Sequence, residues 1–363
     1  MAGEQVYTTR PDGTGRWYLG QLGHVDGLSY SDTMPGGASA ASLTLQHDPS
    51  QRHEAFAPGR RLCVLKGSVQ WEGTLTEPAP GDGGWSLTAD GAGTWGNRFR
   101  ASYTGTWGAG TPALVIDGAV TRGLRWTRGS LAGADVTEPH DSASQSVTEF
   151  LDGITVAQSY TWRVRRVQAG LRVDIAPLPD PKPSTCTRLL VTTAPVARTL
   201  AGYVNALYAR YQATVDASGT PATYGTGSSV NQASVDAHDR LEDYWDLTSA
   251  GVLTNAQANT LASSALAKYT AASYASALTV HHGEYLTAGG TPVDLACEKA
   301  GEVIKLLIAD GPYGGELRTG PVCFTAGGVK YDAGAETLEV TPLQSWQSTL
   351  SDVLTLLAPK APA

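Results

Sequence analysis

The sequence is poor in the residues from which metal sites and stapled scaffolds are built. Its four cysteines, Cys63, Cys186, Cys297 and Cys323, lie far apart and form no CxxC pair. That spacing excludes a zinc ribbon and a disulfide framework, and it predicts buried free thiols in a protein made in a reducing cytoplasm. Lysine is scarce, 7 of the 26 Lys+Arg, and never clusters, while 34 Asp+Glu bring the formal net charge to −8. A partner held by its phosphates needs clustered Lys and Arg, so a nucleic-acid-binding protein is excluded. Charged residues make up only 17% and hydrophobic residues 41%, which excludes both a disordered chain and a coiled coil. No apolar run is long enough to span a bilayer, since the longest, Val303 to Ala309, is interrupted by Lys305. The first residues carry no basic-then-apolar signal and the chain has no N-x-[ST] sequon, so a secreted glycoprotein is not expected. A length of 363 residues leaves room for two or three domains.

What is present reads mainly as β structure. Ala41, Leu43 and Leu45 alternate with polar residues, as do Val69, Trp71 and Leu75, and Trp85, Leu87 and Ala89. Period two is the mark of strands with one buried face. Lys66-Gly67-Ser68 predicts a tight hairpin, and Met34-Pro35-Gly36-Gly37 and Pro80 to Gly84 predict turns. Ser146-Val147-Thr148-Glu149 is a capping box ahead of an apolar face of Val147, Phe150, Leu151 and Ile154. Two alternating strands follow, Tyr160 to Val164 and Leu171 to Ile175, turning at Gln168-Ala169-Gly170, and Pro177 to Pro183 reads as an extended linker. Beyond it, Thr187–Thr193 predicts a strand, Leu200 to Asn205 a helical turn, and Ala206 to Val215 a strand; residues 216–230 read as a loop. Thr254-x-x-Gln257 caps the one long helix, with Ala258, Leu261, Ala262, Ala265, Leu266 and Tyr269 as its stripe. From Leu278 the chain is β again, with a Gly-Gly hairpin expected at Phe324 to Tyr331 and an amphipathic tail of Leu350, Val353, Leu354 and Leu357.

One internal echo stands out. Pro58-Gly59-Arg60-Arg61-Leu62-Cys63-Val64-Leu65 and Ala300-Gly301-Glu302-Val303-Ile304-Lys305-Leu306-Leu307 each set a glycine three residues before an apolar position and six before a leucine. Two similar barrels in one chain, the second interrupted by an insertion, would produce it.

Catalytic motifs are sparse. Gly91-Ala92-Gly93-Thr94-Trp95-Gly96 matches GxGxxG, but Asn97 to Tyr103 offers no helical face to receive a pyrophosphate, so a turn is expected. His281-His282-Gly283-Glu284 contains H-x-E without the P-C-x-x-C that would complete a deaminase zinc site. Asp236, Asp239, Glu242, Asp243 and Asp246 read as a solvated helical charge run rather than as a glycosidase pair. Trp17, Trp71, Trp85 and Trp162 fall in strand patterns where core packing accounts for them. No catalytic, cofactor-binding or metal-binding residue is assigned.

The order of the softer motifs carries a resemblance. Tyr30-Ser31-Asp32-Thr33-Met34-Pro35-Gly36-Gly37, Pro58-Gly59-Arg60 and Trp85 to Gly91 resemble segments of minor tail proteins of long-tailed bacteriophages (siphoviruses) of actinobacteria. So do Arg198-Thr199-Leu200, Asn205 to Tyr211, and Leu247 to Gly251 before the Ala-rich helix. That family is similar to the baseplate hub, or tail-tip hub, protein of contractile-tailed phages. The resemblance implies a mainly β chain with α+β insertions: two tube-protein-like β-barrels plus two smaller α+β subdomains. The implied division is a first barrel over 1–110, an α+β subdomain over 111–183 ending in the Pro-rich linker, a second barrel from 184–224 and 278–346, a helical insertion over 225–277 and a tail over 347–363.

It further implies a structural virion protein, not an enzyme, at the tail tip. A homotrimer would form a pseudo-sixfold ring on a distal tail protein hexamer, beside the tape measure protein and above tail fibre or spike proteins. Genomic DNA would pass its channel without specific binding, past acidic walls, with no cofactor and no membrane span; the channel would open when the host is engaged. Two other readings stay open at this stage, a tail-associated cell-wall hydrolase and a glycan-binding receptor-recognition module. Replacing Asp239 and Glu242 in a hydrolysis assay, or a glycan screen, separates them from the hub.

Overall fold

The computed structural model describes residues 4–102, 110–131, 145–156, 160–167, 170–192, 198–199, 204–215, 221–248, 252–269, 273–274, 277–308 and 323–343. Leu200 to Tyr203 of the expected helical turn, Gln168-Ala169 of the expected turn ending at Gly170, and the tail over 347–363 lie outside them, and Val204 and Asn205 are not helical. The chain is mainly β with α+β insertions, and it divides into two units, Met1–Pro195 with Ala277–Leu343, and a second beginning at Val196 and running to Ser276.

In the first unit the chain opens with eight strands: β1 (Gln5–Thr9), β2 (Trp17–Tyr18), β3 (His24–Thr33), β4 (Gly36–Gln46), β5 (Arg61–Lys66), β6 (Ser68–Leu75), β7 (Ala79–Gly81) and β8 (Gly84–Gly91). The alternation read from the sequence is met across strands. Ala41, Leu43 and Leu45 of β4 face Ala89, Leu87 and Trp85 of β8, all buried. Pairs in register on one face of an antiparallel ladder are the unit of sheet stabilisation. Lys66 pairs with Ser68 and Gly81 with Gly84, so both predicted turns join hairpins. β3 escapes the period-two reading because its alternating buried positions, Leu28, Tyr30 and Asp32, end on a carboxylate, while two register shifts, at Asp26/Ser29 and Tyr30/Asp32, interrupt its pairing with β4.

An α+β layer follows: α1 (Thr111–Thr121), β9 (Trp126–Arg128), α2 (Val147–Val156), β10 (Tyr160–Val167) and β11 (Gly170–Pro177). The capping box of α2 is complete. The Ser146 amide donates to Glu149 Oε2 (2.7 Å) and the Glu149 amide to Ser146 Oγ (3.2 Å), satisfying two otherwise free N–H groups. Val147, Phe150, Leu151 and Ile154 are buried against Trp126, Trp162 and Ile116. The two indole rings lie 5.8 Å apart. Trp126 Nε1 donates to Ala92 O (3.0 Å) and Trp162 Nε1 to Asp152 Oδ1 (2.7 Å), so these two rings are buried without stranding an N–H. β12 (Arg188–Thr192) succeeds the Pro-rich link.

The second unit holds β13 (Arg198–Thr199), β14 (Ala206–Val215), β15 (Pro221–Val230), α3 (Gln232–His238), β16 (Glu242–Asp246), α4 (Asn255–Tyr269) and β17 (Ser273–Tyr274). Residues 221–230, read as loop, form a strand: Gly225 and Gly227 leave room for Tyr211 and Ala258, where a Cβ would clash at 2.3 and 2.8 Å. Their low β propensity is overridden by packing. β14 lies between β15 and β16, and Leu207, Ala209 and Tyr211 share a core with Trp245, Ala258, Ala262 and Leu266. The predicted cap of α4 is formed, the Thr254 amide donating to Gln257 Oε1 (2.8 Å) and the Gln257 amide to Thr254 Oγ1 (3.3 Å).

The chain returns to the first unit with β18 (Leu278–Val280), β19 (Tyr285–Thr287), β20 (Val303–Ile308), β21 (Cys323–Asp332) and β22 (Thr337–Pro342). The Gly-Gly hairpin at Phe324 to Tyr331 does not form. β21 runs through it with a register shift at Ala326/Gly328, and Gly327 O accepts the Met34 amide (2.8 Å). The turn lies later, where Asp332 Oδ1 accepts the amides of Gly334 (2.8 Å) and Ala335 (3.0 Å).

Candidate functional site

The internal echo is a repeated piece of backbone. Gly59 and Gly301 both have positive φ, +84° and +90°, two residues before β5 and β20. The Gly59 amide donates to Leu75 O and the Leu75 amide to Arg60 O, both at 2.8 Å. The Gly301 amide donates to Ala326 O (2.7 Å) and the Ala326 amide to Glu302 O (2.9 Å), the same exchange. From there Arg61 pairs with Thr74 and Val303 with Thr325. Ahead of each glycine stands a 3-10 turn, Glu54–Phe56 and Leu295–Cys297, whose capping side chain (His53 or Asp294) accepts the amide two residues on. The outer neighbours differ: β1 is antiparallel to β5, whereas β12 is parallel to β20.

The two repeats meet along β3 and β21, antiparallel from Ser29↔Asp332 to Thr33↔Gly328. Side chains reinforce this seam. Tyr30 Oη donates to Ala296 O (2.6 Å), and Trp71 Nε1 to Ser31 O (3.1 Å). Burial raises the Tyr30 phenol, which therefore stays a donor. Asp32 accepts the Ala300 amide (3.0 Å) and Arg163 Nη2 (3.4 Å), tying β3, the residue before Gly301 and β10 together. Glu72, with a side chain only 2% exposed, pairs with Arg61 on one side and Arg166 of β10 on the other. Lys66 reaches Asp294 (2.9 Å) and Glu4 (3.1 Å). A cleft of 260 Å³ between these groups is lined by Asp32, Trp71, Glu72, Arg163, Arg166 and Lys299. Burial pulls the Lys299 ammonium below its ordinary value, and it donates to Gln70 O. Arg163, Arg166 and Lys299 in the cleft each face an acceptor from another element, so the arrangement ties those elements together.

The residues singled out for chemistry are dispersed. His281 and Glu284 sit in the turn between β18 and β19, where Glu284 Oε2 accepts the His281 amide (2.9 Å). Asp236 lies on α3, whereas Glu242, Asp243 and Asp246 lie on β16; the expected single helical run is split between a helix and a strand. Glu242 binds Arg240 and Asp246 accepts from Thr248, so each carboxylate serves its own loop. Gly91 to Gly96 forms no phosphate cradle. A 3-10 helix covers Ala92–Arg98, and a Cβ at Gly91 would fall 2.2 Å from Ala38 O of β4. Trp71, Trp85 and Trp162 are core residues, but Trp17 is 38% exposed, its indole set against His53. Of the thiols expected to be buried only Cys63 is; Cys186 and Cys323 are half-buried and Cys297 is exposed. Among the described residues no group of three or more His, Cys, Asp or Glu is gathered to hold a metal, and no helix is long and apolar enough to cross a membrane.

No protein-family model matches the sequence, and no curated protein matches it. Solved structures do match. A prophage tail protein from Listeria monocytogenes EGD-e superposes with a TM-score of 0.59 at 9% identity, over 97% of this chain and 98% of that one. The prophage MuSo2 tail protein from Shewanella oneidensis gives 0.58 at 10% identity, over 94% and 98%. A tail protein from Neisseria meningitidis MC58 gives 0.57 at 9% identity, over 94% and 96%. The chain shares their fold. At such identity the likeness is one of fold, and it extends over nearly the whole length of each chain.

Proposed function

We propose that the chain is a structural component of a phage-type tail, the hub of the tail tip. Three copies would each contribute two repeats to a pseudo-sixfold ring, seated on the distal tail protein and carrying fibres or a spike below. The observation that carries this reading is the repeated glycine-hairpin unit, joined in one chain by β3 and β21. Two quasi-equivalent units per chain let a threefold ring match a sixfold neighbour. The fold shared with three tail proteins supports the same reading, as does a seam fastened by ion pairs. The role is mechanical: the ring would transmit host contact to the channel and let DNA pass acidic walls. A descent from actinobacterial phages belongs to this proposal too.

The test is assembly. The purified chain at high concentration should sediment as a trimer, and particle images should show a threefold ring with two similar lobes per copy. A chain that stays monomeric, in a particle whose tip lacks such a ring, would overturn the hub.

A further inference from the structure

Cys186 and Cys323 are 137 positions apart in the chain, yet their sulfurs lie 3.2 Å from each other. Both are half-buried, so a small oxidant reaches them. Backbone pairing, not chance rotamers, brings them together. The Thr187 amide donates to Val303 O (2.9 Å), holding the link against β20. Cys323 pairs with Lys305 on that same strand, and Thr325 Oγ1 donates to Pro179 O (3.2 Å), laying the Pro-rich link along β21. A disulfide needs its sulfurs at about 2.05 Å, so closing the bond requires a shift of only about 1 Å.

We propose that Cys186 and Cys323 form an oxidation site, a reversible disulfide closed by exchange with a low-molecular-weight disulfide such as oxidised glutathione. The Cys186 thiolate attacks one sulfur of the oxidant, and the first glutathione leaves as a thiolate that takes up the proton Cys186 released. Cys323 then gives up its proton and attacks the Cys186 sulfur, expelling the second glutathione as a thiol. Two protein thiols are oxidised, the oxidant's S–S bond is reduced to two thiols, and the protein loses two hydrogens. Burial, with the neighbouring sulfur, pushes the Cys323 thiol up to about 11, which suits it to the second step, where the sulfur it attacks is already held beside it. The bond would clamp the link to β21 and close off the whole excursion of chain between β12 and β21. Closure of so long a loop stabilises the folded chain by restricting the unfolded one. A tail protein folded with free thiols in a reducing cell would be stapled this way once outside it.

The experiment uses the full chain carrying Cys297→Ser, which removes the exposed thiol and leaves three. After incubation with oxidised glutathione, unfolding and thiol titration, the count should fall from three to one. The intact mass should drop by two hydrogens, a peptide joining residues 186 and 323 should appear, and dithiothreitol should reverse all of it. Adding Cys186→Ser should leave only glutathione adducts and no cross-link. Three titratable thiols after treatment would overturn the proposal, as would stable glutathione adducts on Cys186 or Cys323 without the linked peptide, or a link found only between chains.

Discussion

Gly59 and Gly301 hold the same left-handed backbone at the same step of two hairpins, but only Gly301 has a side chain pressed against it. A Cβ at Gly59 would meet nothing within 4 Å, whereas one at Gly301 would fall 2.8 Å from Arg163 Nη1 and 3.1 Å from Met34 Sδ. Gly59→Ala therefore carries the cost of left-handed backbone alone, about 1–2 kcal/mol. Gly301→Ala carries that cost and displaces Arg163 from Asp32 as well, so it should lose more in urea unfolding. Placing Gly301→Ala on an Arg163→Ala background should recover part of the difference. Equal losses at the two glycines would mean that Arg163 simply swings aside and that the seam does not depend on it.

The second prediction concerns Glu72. Its carboxylate is enclosed between Arg61 and Arg166, and Glu72→Gln leaves two guanidiniums facing a neutral amide. The guanidiniums left behind are 21% and 41% exposed, so water takes up part of their charge, and the loss should be about 1.5–3 kcal/mol, the range for a hydrogen bond to a charged group. Asp90 with Arg98 is the control. Their side chains are 51% and 50% exposed, and Asp90→Asn should cost less than about 1 kcal/mol. Salt should weaken the Asp90 effect and leave the Glu72 effect nearly unchanged. Comparable losses at both sites would contradict the buried seam.

Local signals carried much of this fold into the sequence. Both capping boxes, the β4 to β8 alternation and the hairpins at Gly67 and Pro80 are short-range features, set by residues within a few positions of one another. The echo around Gly59 and Gly301 was legible for the same reason, since a left-handed step before a strand asks for glycine. The misread segments answer to distant partners. β15 is a strand because α4 and Tyr211 pack into its glycines, and the Gly327-Gly328 step is a bulge because the β3–β4 turn docks there. The seam itself was invisible in the sequence. Asp32, Glu72, Arg163 and Lys299 stand scattered over almost the whole chain, and no local spacing marks them as neighbours. Cys186 and Cys323 were hidden in the same way.

The last prediction turns on Asp152, to which Trp162 Nε1 donates at 2.7 Å. Burial is the main reason its carboxyl is raised from 3.8 to about 6; the Trp162 hydrogen bond opposes the shift and the Glu149 charge adds to it. Below pH 3.8 both folded and unfolded chains hold the proton, so the group contributes nothing to the pH dependence. As pH rises to about 6 the unfolded chain ionises first, and stability falls through that window. Above it the folded protein holds a half-buried carboxylate at a cost on the order of 2–3 kcal/mol. Asp152→Asn keeps an oxygen to accept from Trp162 and removes the titration. The variant should be more stable than the parent at pH 7, and the advantage should shrink towards zero by pH 4. Urea unfolding of both proteins across that range is the measurement. An advantage that stays constant with pH would show that the folded protein holds Asp152 no differently from the unfolded chain.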